Sequence, residues 1–174
     1  MNIHSMKKTI QALCLFAINI AVASAHVHTK SNCNTGEDVF FSCAVGAKRM
    51  SICSPKGEAD DYLEYRFGTP KRIELRFKGT LKDVPRKFSR AEITGASNSG
   101  TTLWFLNRGT HYVLNAPVRG GPYLDVINEG KRISRLTCKG QWTGTDGDLD
   151  APSKAITAKT QETFFSEVLK VRTK

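Results

Sequence analysis

From Val39 to Cys138 the chain alternates apolar and polar side chains in short runs. A turn signal closes each run, and no helical period is sustained among them. Val39 to Ala44 and Lys48 to Cys53 flank Gly46-Ala47. Tyr62 to Phe67 and Arg72 to Phe77 flank Gly68-Thr69-Pro70-Lys71. Thr101 to Asn107 and His111 to Asn115 flank Arg108-Gly109. Tyr123 to Ile127 and Arg132 to Cys138 flank Asn128-Glu129-Gly130. Side chains two residues apart share a face of a strand, so each run buries one face and wets the other. The pattern predicts an all-β fold: an antiparallel barrel or small sandwich of about eight strands, with a short C-terminal helical segment.

The second hairpin permits a register to be proposed. Pairing Phe67 with Ile73 sets Tyr65 opposite Leu75 and Leu63 opposite Phe77. The same register sets Arg66 opposite Glu74 and Glu64 opposite Arg76. Both faces are then satisfied, and the two arginines read as halves of exposed cross-strand ion pairs worth under about 1 kcal/mol each. The third hairpin differs, because both its faces are apolar. Leu103, Phe105, Tyr112 and Leu114 share one; Trp104, Leu106, His111 and Val113 share the other. The second face needs a cover or a partner. Phe164, Phe165, Val168 and Leu169, at helical spacing within Pro152 to Lys174, supply a cover.

Two features place the chain outside the cytoplasm. Lys7 and Lys8, an apolar run from Thr9 to Val22, and Ala23-Ser24-Ala25 form the pattern of a cleaved export signal over residues 1–25. Neither Cys14 nor Cys33 has the preceding small residue that a lipid anchor requires. Cleavage after Ala25 predicts a soluble chain starting at His26, periplasmic or secreted, with no transmembrane anchor. The 174-residue precursor carries a formal +10. The signal takes two lysines and no acid, leaving +8 and four cysteines: Cys33, Cys43, Cys53 and Cys138. In an oxidising compartment these read as two disulfides. A two-residue turn at Gly46-Ala47 puts Phe41 and Cys43 on the face of Met50 and Ile52. Cys53 then falls on the other face with Phe40, so Cys43 and Cys53 do not bond. Two pairings remain, and Cys43 with Cys138 plus Cys33 with Cys53 is preferred. A bulge would reverse the parity. The expected organisation is a disulfide-bonded β domain over 26–139, then a polar linker and C-terminal segment over 140–174 packed on or beside it.

The run Phe41-Ser42-Cys43, Ser51-Ile52-Cys53 and Tyr62-Leu63-Glu64-Tyr65-Arg66-Phe67-Gly68 resembles a group of small exported proteobacterial β-proteins that have no established function. The likeness extends through Ile73-Glu74-Leu75, Leu103 to Phe105, Gly109, Tyr112-Val113, Gly130-Lys131 and Leu136-Thr137-Cys138. A fainter likeness is to the periplasmic inhibitors of c-type lysozyme, which are small disulfide-bonded β-barrels with a Ser/Gly-rich inhibitory loop. Ala96-Ser97-Asn98-Ser99-Gly100, Trp104-Phe105 and Arg108-Gly109 look like a compressed version of that loop and the strand after it. Such lysozymes are basic, and a partner of charge +8 is repelled by them.

Catalytic signatures are scarce. Gly-x-Ser-x-Gly and His-Glu-x-x-His are absent, and His111 is the one histidine of the β region. Asp146, Asp148 and Asp150 alternate like the start of a calcium loop, but Ala151 and Thr157 stand where Gly and Glu are required. His26-Val27-His28, as a free N-terminus, would offer an amine, two amide nitrogens and an imidazole to square-planar Cu(II) or Ni(II). No other cofactor is implied. The stretch from Lys71 to Arg90 holds eight basic residues and two acids. Its cations Lys78, Lys82, Arg86, Lys87 and Arg90 are candidates for gripping phosphate or carboxylate groups. The leading expectation is a non-catalytic binding protein, inhibitor-like or immunity-like, that contacts a partner protein through Ser97, Asn98, Ser99, Gly100, Trp104 and Arg108. The alternative is a binder of anionic glycan, lipid headgroup or nucleic acid through the loop from Lys78 to Arg90.

Overall fold

A computed structural model describes residues 30–57, 61–96, 98–144 and 149–171. The expected signal over 1–25, His26, His28, Ser97, Asp146 and Asp148 lie outside the described residues. The predicted strands are all present: β1 (Glu37–Val45), β2 (Lys48–Pro55), β3 (Tyr62–Thr69), β4 (Arg72–Thr80), β6 (Ser99–Asn107), β7 (Thr110–Pro117), β8 (Tyr123–Asn128) and β9 (Lys131–Thr137). Three more join them: β5 (Phe88–Thr94), β10 (Lys139–Gly144) and β11 (Ile156–Ala158). β10 occupies the start of the stretch expected as linker. Among the described residues there is one helix, α1 (Gln161–Glu167).

The strands form two sheets, ordered β10-β1-β2-β3-β4 and β11-β5-β6-β7-β8-β9. Neighbours along the chain are neighbours in space, except that the ladder breaks between β4 and β5, between β9 and β10 and between β10 and β11. The meander therefore folds back on itself at these open corners, as a sandwich. Phe41, Met50, Ile52, Leu63 and Tyr65 of one sheet meet Phe88, Leu103, Phe105, Leu114 and Leu124 of the other. Phe105 lies at the centre, stacked on Phe77 with ring centroids 4.3 Å apart and on Tyr112 at 5.0 Å. The disulfide Cys43–Cys138 crosses this core, and Cys33–Cys53 lies on the outer face of the first sheet.

Two local expectations are corrected. Phe40, placed with Cys53 by strict alternation, belongs to the core, because a bulge between Val39 and Phe41 turns both phenylalanines inward. In the second hairpin Phe67 faces Leu75, and Arg66 faces Arg76 rather than Glu74. Gly68 is one cause. It adopts φ 142°, where a Cβ would lie 2.3 Å from the Arg72 carbonyl, and the register shifts by one residue there; that bulge and the tight turn at Pro70-Lys71 together move Phe67 two residues from its expected partner. A slide of two leaves every side chain on its expected face but changes its partners.

The outer face of each sheet is covered in part. Residues 30–36 cross the first sheet. Helix α1 lies on the second, where Phe164 and Val168 pack on Ala91, Trp104, Val113 and Ile127. Thr160 caps the helix by accepting the Thr163 N–H at 3.2 Å. The apolar outer face of the third hairpin is thus covered from within the chain.

Candidate functional site

The Asn98 loop is tied to its neighbour rather than left loose. Gly95 N–H donates to the Asn98 carbonyl at 3.0 Å. The Asn98 amide donates to the Arg119 carbonyl at 2.9 Å, and its Oδ1 accepts from the N–H groups of Ser99 and Arg119. One side chain therefore clamps the β5–β6 loop to the β7–β8 loop, whose tip carries the exposed Val118. Next to the clamp, Gly100 of β6 lies tight against β7: a Cβ there would lie 2.3 Å from the Ala116 carbonyl.

Behind the clamp is a cleft of about 260 Å³, bounded by Asn98 to Thr102, Asn115 to Pro117, and α1. One wall is apolar, from Ile93, Val113, Ile127, Phe164 and Leu169. The other is polar, from Ser99, Thr102, Asn115, Tyr123 and Asp125. Thr102 donates to Asn115 Oδ1 at 3.0 Å, and Asp125 receives both Arg135 Nε and an Arg135 Nη at 2.7 Å. The Arg135 guanidinium also stacks 3.9 Å from the centre of the Tyr123 ring. Drug-sized ligands need pockets of about 300–1,000 Å³. This cleft is smaller, about the volume of one large side chain.

Of the residues expected at a partner-binding site, the five that are described do not converge. Asn98, Ser99 and Gly100 line the cleft. Trp104 is buried beneath α1, its ring 5.2 Å from that of Phe164. Arg108 sits in the β6–β7 turn, at the far end of a nine-residue strand and so roughly 30 Å away. Asn115 and Asp125 were not anticipated, although a carboxylate inside the apolar run Tyr123-Leu124-Asp125-Val126-Ile127 was a readable anomaly.

The basic loop is shorter than expected and largely occupied with itself. Lys78 to Thr80 complete β4, and Phe88 to Arg90 begin β5. Arg86 donates to the carbonyls of Leu81, Asp83 and Lys154. Arg90 donates to those of Leu149 and Ala151. Lys87 pairs with Asp83 at 3.1 Å, and Lys78 lies 3.6 Å over the Tyr62 ring. The cations of this stretch hold the β4–β5 corner and the chain around residue 150 together.

The densest charge cluster was read from sequence as two exposed surface pairs. Arg66, 3% exposed, grips Glu37 through both terminal nitrogens at 2.6 and 2.7 Å and Glu64 at 2.7 Å. Glu64 also reaches Arg76 at 3.3 Å, so that pair exists, though diagonally. Glu74 pairs instead with Lys48. Tyr62 and the Asn34 N–H complete the shell of Glu37. Burial alone would raise the Glu37 pKa. The hydrogen bonds from Arg66, Asn34 and Tyr62 outweigh it and hold the carboxyl at about 2. This network straps residues 30–36 across the first sheet.

His111 lies half-buried on β7, opposite Leu106. Burial and then Lys170 hold its pKa below 6.5, opposed by Glu167. Ser89 sits on β5, two strands away and so roughly 10 Å or more from His111, beyond proton-transfer reach.

Comparison with protein-family models, curated proteins and solved structures finds no match to this chain. Among the described residues no helix is long and apolar enough to cross a membrane.

Proposed function

We propose that this chain is an exported, non-catalytic binding protein, inhibitor-like or immunity-like, that occupies a periplasmic or secreted partner protein with the Asn98 end of its sandwich. The observation that carries the reading is the Asn98 clamp over a cleft of about 260 Å³. Loops already fixed in one geometry lose little freedom on binding, which is how a small rigid module gains affinity. A concave site the size of one side chain, beside an exposed Val118, suits a partner that inserts a single anchor residue. The two disulfides are consistent with an exported chain.

Affinity capture of the mature protein from envelope or culture extracts tests this. The captured partner should persist at about 1 M salt, where the Debye length is about 3 Å. Asn98→Ala should weaken it at least about tenfold through loosening of the loop. Charge reversal at Lys82, at the other end of the molecule, should leave it unchanged. Capture that collapses with salt and with the Lys82 variant would favour the polyanion instead.

A further inference from the structure

A second cleft opens at the other end of the outer face of the second sheet, with α1 between the two. It measures about 600 Å³, within the range of small-molecule sites. Its walls are cationic: Arg86 and Lys87 from the β4–β5 loop, Lys159 from the segment after β11, and Lys170 from the chain just after α1, with His111 on β7 also in the lining. Glu167 is the one carboxylate in the lining, and it pairs with Lys159 at 3.5 Å. Asp83 stands behind Lys87, and no other carboxylate faces His111 across this cleft. The rest of the lining is apolar apart from Ser89 and Thr157, and includes Phe77, Pro85 and Leu106, the last 51% exposed.

Lys170 is held in place by the backbone. It adopts φ 56°, a left-handed state uncommon for lysine. Its side chain lies against the β8–β9 turn, where a Cβ on Gly130 would come within 3.0 Å of it. Such a conformation persists only where surrounding structure imposes it, and here it keeps an exposed cation at the cleft. Among the described residues Lys170 has no carboxylate partner.

We propose that this cleft binds an organic anion, a phosphate or carboxylate carried on an apolar body, with Lys170, Lys159 and His111 on the anionic group and Leu106, Pro85 and Phe77 on the apolar part. The site is independent of the partner-binding reading, because the two clefts share no lining residue. With Lys87 paired to Asp83 and Lys159 to Glu167, the charges of Arg86 and Lys170 leave the cleft electropositive before His111 titrates. An anion placed among them favours the imidazolium, so binding and protonation of His111 reinforce each other.

Octyl phosphate and octanoate are the probes, followed by titration calorimetry and by the imidazole resonances of His111. One equivalent of either should bind and shift those resonances. Octanoate, whose charge is constant over this range, should bind more tightly from about pH 8 to about pH 6 as His111 gains its proton. The Lys159→Gln/Lys170→Gln variant should bind at least about tenfold more weakly with unchanged thermal unfolding. His111→Gln should abolish the pH dependence and retain binding at pH 8. Equal affinity for inorganic phosphate would show the apolar wall idle, and equal affinity for octyl glucoside would show the cations idle. Either result overturns the proposal, as does an affinity indifferent to the lysine variant.

Discussion

Arg66 shows how one side chain can organise a surface. Its two terminal nitrogens bridge a strand residue, Glu64, and a residue 29 positions away, Glu37. Withdrawing one member of such a buried set leaves the rest uncompensated, which typically costs about 3–5 kcal/mol. Glu37→Gln should therefore lower stability by about 3 kcal/mol in urea unfolding at neutral pH. The pH dependence has a definite sign. The folded carboxyl titrates at about 2 and the unfolded one at 4.5. Its contribution is complete above pH 4.5 and drains away as pH falls through about 2. Wild type should lose stability across that window, and Glu37→Gln should lose markedly less. The residue types were legible: a Tyr-Leu-Glu-Tyr-Arg-Phe strand announces alternation. The partner was not, because no local rule selects Glu37 from 29 residues upstream.

At the scale of elements, α1 is the test of whether an apolar strand face is a core or a docking surface. Its own length gives it little stability, since isolated helices shorter than about 12–15 residues are marginal in water. Packing of Phe164 and Val168 on Trp104 and Val113 holds it. Phe164→Ala should cost about 3 kcal/mol and shift Trp104 emission to the red as water reaches the ring. Thr160→Ala should cost about 1 kcal/mol through loss of the cap, without that shift. The helix was readable because Phe164, Phe165, Val168 and Leu169 keep its period. The strands β5 and β10 were not. β5 follows a run of cations and reads as more of the same loop. β10 carries Gly140 and Gly144, and its pairing with β1 is a long-range event.

For the whole molecule the two disulfides have unequal work. Cys43–Cys138 closes a sequence separation of 95 residues, and Cys33–Cys53 one of 20. In the chain-entropy account these restrict the unfolded state by about 4.7 and about 3.3 kcal/mol respectively. The Cys43→Ala/Cys138→Ala pair should lower the unfolding midpoint more than Cys33→Ala/Cys53→Ala. The second pair should instead loosen residues 30–36, read as faster amide exchange at Asn32 and Asn34. A larger loss from the shorter loop would place the main brace at the Arg66 network rather than in the core.

Sequence by itself determined the class of fold, the hairpins, the faces of most strand residues and the covering helix, and it excluded a Cys43–Cys53 bond. Each of these follows from periodicity and parity, which neighbouring residues express without knowledge of the rest of the chain. Tertiary structure alone decided the Gly68 bulge, the partners of Arg66, the engagement of the basic loop and the position of both clefts. These depend on which distant segment arrives at a given face. A cation in a strand has the same propensity whether a carboxylate, a carbonyl or water lies above it, so only the packed molecule tells Arg86, spent on backbone carbonyls, from Lys170, held at the mouth of a cleft.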